Sequence, residues 1–110
     1  MAFGRLLRNG TAERDIRDWL NDNGYYGRSA KFLELELHAI KRPGWLQIFR
    51  FSLNAKSSDD DWHELHGVLR DDERYRRLDI EVSQAESERD EKLAEWSMGL
   101  IIRRKSRRSR

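Results

Sequence analysis

The sequence predicts an α+β fold, a four-stranded antiparallel meander with an N-terminal and a C-terminal helix (αββββα). Three observations predict it. Apolar residues fall at helical spacing before residue 23 and again after residue 85. Between them, period-two alternation recurs in runs separated by short turn signals. The connections between runs are too short for parallel crossovers, so successive strands lie side by side.

The first helix starts from Thr11 as N-cap. Ala12, Ile16, Trp19 and Leu20 share one face, Glu13/Arg17 and Arg14/Asp18 form i,i+4 pairs, and Asn23-Gly24 supplies the stop. In the run from Phe32 to Ile40 the odd positions are apolar, as are Phe49, Phe51 and Leu53 in the next. Lys41-Arg42-Pro43-Gly44 is the turn between them. Two odd-numbered faces pair only across a loop of odd length, three or five residues. A three-residue loop opposes Leu37 to Phe49, Leu35 to Phe51, Leu33 to Leu53 and Glu36 to Arg50. The polar run Lys56–Asp61 leads to a third strand, Trp62 to Arg70. Its inward face is either His63, Leu65, Gly67 and Leu69 or Trp62, His66 and Val68. A turn at Asp71–Arg74 precedes the fourth strand, Tyr75 to Val82, with Leu78, Ile80 and Val82 inward.

Ser83 and Glu86 fit a capping box before the last helix. Leu93, Trp96 and Leu100 form its apolar stripe, widened by Met98 and Ile101. Arg103, Arg104 and Lys105 follow the helix end, matching the helix dipole. Both helices are expected to cover one sheet face. The other face shows Glu34, Glu36, Arg50, Ser52, Arg77, Asp79 and Glu81 to water.

The helix–sheet–helix order resembles the double-stranded-RNA-binding domain, which sets three strands between two helices. The chain departs from that family twice. A fourth strand is expected, and Glu86, Glu88, Asp90 and Glu91 stand where the family has a lysine cluster at the start of its last helix.

With 110 residues the chain is expected to form one domain, residues 1–102, followed by a basic C-terminal tail, residues 103–110. Hydrophobic residues make up 37% and charged residues 38%, so the core is small and leans on four Trp, four Phe and three Tyr. The absence of Cys excludes disulfides and thiolate zinc sites. The first ten residues lack the apolar run of a signal peptide, and no stretch approaches the roughly 20 apolar residues of a membrane span. The default expectation is a cytoplasmic protein without a membrane contact.

Function is read from charge. Six of the 22 Lys and Arg, namely Arg103, Arg104, Lys105, Arg107, Arg108 and Arg110, lie in the last eight residues. That leaves 16 against 20 Asp and Glu, an acidic body with a cationic end. These six are the candidate polyanion-binding residues, with the last turn of a helix as the bland alternative. Ile40, Leu46 and Ile48 are a candidate protein-binding patch, unless Phe3, Leu6 and Leu7 cover it. His63 and His66 differ by three, so a strand points them to opposite faces, against a metal site. No nucleophile elbow or phosphate loop is present, so no catalytic residue, metal or cofactor is expected. The expected function is a small non-enzymatic protein-interaction module with a protein partner and a tail that contacts polyanions. The alternative is an RNA- or DNA-binding protein that grips phosphates through the tail. The oligomeric state is left open.

Overall fold

The computed structural model describes residues 2–41 and 44–103, with side chains from Gly10 onward. Helix α1, Ala2–Asp22, leads through a 3₁₀ turn, Gly27–Ser29, into strands β1 (Lys31–Lys41), β2 (Leu46–Lys56), β3 (Trp62–Asp72) and β4 (Arg77–Ser83). Helix α2, Glu86–Trp96, and a two-residue strand β5, Ile101–Ile102, complete the order. The sheet runs β4-β3-β2-β1-β5, antiparallel throughout. The expected α+β meander between two helices is therefore present, with β5 added at one edge.

The expected β1–β2 pairing holds at its centre, where Leu37 faces Phe49, Glu36 faces Arg50 and Leu35 faces Phe51. It shifts at both ends. Leu33 and His38 are each an extra residue in β1, so Phe32 rather than Leu33 opposes Leu53, and Ala39 opposes Ile48. The shift at His38 also removes the odd-loop requirement: Lys41 pairs with Leu46 and leaves four positions, 42–45, in the turn. Arg42 and Pro43 of that turn lie outside the described residues.

The two helices pack on opposite faces of the sheet, not on one as expected. Ala12, Ile16 and Leu20 of α1 bury Phe49, Phe51, Leu53, Leu65 and Leu69. Leu93 of α2 buries Ala39, Ile48 and Val68 on the other side, with Trp96 and Leu100 at its margin. The physical reason lies in β2 and β3, which are central strands and are buried on both faces. The same fact resolves the inward face of β3. Leu65 and Leu69 meet α1, while His66 and Val68 lie under α2. Each fully buried Phe or Leu contributes about 1.5–3 kcal/mol relative to exposure, so the aromatic-rich first core carries most of the apolar stabilisation.

Three boundary expectations change. Thr11 sits inside α1 rather than at its N-cap, because the helix continues back through Gly10 to Ala2. The N-cap of α2 is Ala85; Ser83 Oγ accepts from the Ala85 amide (3.0 Å) and bonds Glu88, so the Ser83/Glu86 box does not form. α2 stops at Trp96 because Gly99 takes a left-handed backbone (φ 79°) that turns the chain back onto the sheet. Ile101 and Ile102 then pair with Ile40 and Ala39, and the Arg103 amide donates to the His38 carbonyl (2.8 Å). The basic segment thus leaves from a strand, and the helix-dipole argument for Arg103, Arg104 and Lys105 does not apply.

Candidate functional site: the open edge of β4

Among the described residues β4 is an edge strand of the sheet and pairs only with β3. Its outer backbone groups have no strand partner among the described residues, which leaves a row of donors and acceptors open. Because α1 and α2 lie on opposite faces, they wall this edge from both sides. The result is a groove of about 680 Å³. Asp15, Asp18, Trp19 and Asp22 form one wall, since spacings of three and four put them on one face of α1. Lys92, Glu95 and Trp96 of α2 form the other. β4 supplies the floor, with Leu78 and Ile80 toward α1 and Asp79 and Glu81 toward α2.

The groove is electronegative. Its lining holds Asp15, Asp18, Asp22, Asp79, Glu81 and Glu95 against Arg70 and Lys92. Arg70 is engaged: it forks onto Asp79 at 2.9 and 3.0 Å and lies 4.4 Å over the Trp96 ring. Lys92 stands 3.8 Å from Glu81 and 3.7 Å from Glu95. Asp15, Asp18 and Asp22 have no cation within salt-bridge distance among the described residues. Arg17 does bind Glu13 as expected (2.8 Å), but the Arg14/Asp18 pair is absent because Asp18 faces the groove. Partial burial pushes the Asp15 carboxyl above its ordinary range; Arg14 opposes that and Asp18 adds to it.

The residues singled out from sequence do not converge. Of the six tail cations only Arg103 is described, anchored beside β1; Arg104, Lys105, Arg107, Arg108 and Arg110 lie outside the described residues. The Ile40, Leu46, Ile48 patch is divided by the extra residue at His38. Ile40 now opposes Gln47, while Leu46 and Ile48 belong to the opposite face, and Ile48 is fully buried beneath α2. Phe3, Leu6 and Leu7, the other candidates to cover that patch, have undescribed side chains.

His63 and His66 point to opposite faces, and among the described residues no three His, Cys, Asp or Glu side chains are placed to hold a metal ion. His63 meets the Tyr25 ring edge-on at 5.8 Å. His66 instead joins a buried polar chain under α2. Arg89 Nη1 donates to Ser52 Oγ (3.4 Å), Ser52 Oγ lies 2.7 Å from His66 Nδ1, and His66 Nε2 lies 3.3 Å from Glu64. Hydroxyl, imidazole and carboxylate stand in a row, as in a nucleophilic triad. Ser52 is only 6% exposed, however, and Arg89 (2%) lies directly over it. Arg89 also donates to the Phe51 carbonyl (3.1 Å) and pairs with Asp90 (2.7 Å) and Glu86 (3.2 Å). The row holds Arg89 against β2 beneath α2.

Among the described residues no helix is long and apolar enough to cross a membrane. Comparison of the chain with family models, curated proteins and solved structures finds no match. Sequence reasoning missed the groove, although two signals pointed to it. Asp15, Asp18 and Asp22 make an acidic stripe at spacings of three and four, and the last strand of a meander is necessarily an edge unless something covers it.

Proposed function

We propose that this chain is a non-enzymatic protein-interaction module whose β4 groove takes an extended, positively charged segment of a protein. The supporting observation is the open strand edge lying between two helix walls, in a groove whose lining is net acidic and most acidic on the α1 side. An extended segment laid along β4 gains main-chain hydrogen bonds, and its alternate side chains reach the two walls in turn. Arginine suits both sides, because its guanidinium pairs with carboxylates and its stem lies against Trp19 and Trp96. Residues 103–110 supply the electrostatic contact of the module with an acidic surface.

Nucleic-acid binding is the competing reading, supported by six cations in eight residues. The two differ in what the groove does. A fluorescent Arg- and Lys-rich nonapeptide is titrated into the dilute full chain, and into D18K/D22K. Asp18 and Asp22 are exposed, so the exchange spares the core. Expected is saturable binding that weakens at least about tenfold in the variant and with added salt. Equal binding by both chains, or none, overturns the groove reading. RNA retention that survives D18K/D22K and vanishes when the tail cations are removed favours the nucleic-acid reading.

A further inference from the structure

Resting on the reading of β4 as a receptor for extended cationic segments, we propose that its occupant is residues 104–110 of a second copy of this chain. Copies then join head to tail, each adding a strand to the next.

Periodicity and charge carry the inference. In an extended strand, Arg104, Arg108 and Arg110 project to one side, and Lys105 and Arg107 to the other. The groove offers Asp15, Asp18 and Asp22 on the α1 wall and Glu81 and Glu95 on the α2 side. On the α1 wall three cations face three carboxylates; on the α2 side Lys92 already stands between Glu81 and Glu95, so the charge match is carried by the α1 wall. The segment follows directly on β5, which is paired with β1, and on Arg103, whose amide bonds to β1.

The chain's own groove is out of reach. β5 and β4 are opposite edges of a five-stranded sheet, about 19 Å apart at ~4.8 Å per strand. Seven extended residues span about 23 Å, so while β5 stays paired about one residue is left to lie along β4 once that distance is crossed. The contact is therefore between copies. It is heterologous, so it propagates as an open chain or closes as a ring.

Sedimentation of the full chain over a range of concentrations tests this, with two variants. One has a neutral tail (R104S/K105S/R107S/R108S/R110S); the other has a reversed groove (D15K/D18K/D22K), with circular dichroism as the check on its fold. Expected for the native chain is a mass that rises with concentration at low salt and falls back at high salt. Each variant alone associates at least about tenfold more weakly. Mixed, they form a complex of two chains and nothing larger, because one native tail and one native groove remain between them.

A native chain that stays single at every concentration overturns the inference; if the cationic peptide still binds, the groove reading stands without it. Association unchanged in both variants places the interface elsewhere and overturns it as well. Association that persists while the peptide fails to bind removes the groove reading itself.

Discussion

Arg89 shows how one residue holds an element in place. Its stem occupies the space under α2 and its guanidinium serves a backbone carbonyl, a hydroxyl and three carboxylates, those of Glu34, Glu86 and Asp90. Glu86 and Asp90 are mostly exposed, so the pairings are screened on one side. Arg89→Ala is therefore expected at the low end of the roughly 3–5 kcal/mol that follows removal of one partner from a buried pair, read from urea unfolding. Arg89→Lys recovers part of the loss, because an ammonium cannot fork to the same set. His38 offers a pH test. Burial holds its imidazole below the ordinary 6.5, helped by Arg50 and Arg89 and opposed by Glu36 and Asp90. Below 6.5 the unfolded chain binds the extra proton first, so stability is full above that value and declines as pH falls toward the folded-state pKa. Unfolding midpoints at neutral and mildly acid pH measure the slope. His38→Gln flattens it, and an unchanged slope refutes the assignment.

At the scale of elements, Gly67 is the tightest point of β3. A methyl group there meets the Phe51 ring and the Glu81 carbonyl. Gly67→Ala is expected to cost about 1–3 kcal/mol through displaced packing, measured by the shift in melting temperature. Much of this layer was readable. Leu35, Leu37 and Phe51 stand between polar neighbours and Phe49 falls in step with Phe51, which makes both strands and their central pairing legible. Bulges were not readable, because nothing in Leu33 or His38 distinguishes an extra residue from an ordinary strand position. Leu33 even continues the apolar alternation, yet is 57% exposed. The second core was hidden for a different reason. Ile48 and Val68 are interrupted by Arg50, Ser52 and His66, so the face looks solvated until Arg89 is seen to cover its polar part. The helix end was misplaced because Ile101 fits helical spacing, and only the backbone at Gly99 shows the break.

The whole molecule separates its charge. A body with 16 basic and 20 acidic residues carries six cations in the last eight positions of the sequence, and the acid-lined edge of β4 is the sheet edge opposite β5. The site was harder to read than the fold, because it is assembled from three elements whose relative faces the sequence did not reveal. Ser106 and Ser109 lie among the arginines. Phosphorylation of Ser106 adds about 1.5–2 negative charges and is expected to shift sedimenting material toward single chains; phosphorylated material that associates as well as unmodified chain contradicts this. The way the cationic segment is tethered has its own outcome. Among the described residues, two residue pairs and one amide fasten it to β1. Unzipping them pays out about 10 Å of slack at ~3.3 Å per residue, while α2 and both cores stay put. Under the proposed docking, the reach of the cationic end then depends on whether β5 is paired or released, and the spacing between joined copies is adjustable by that length.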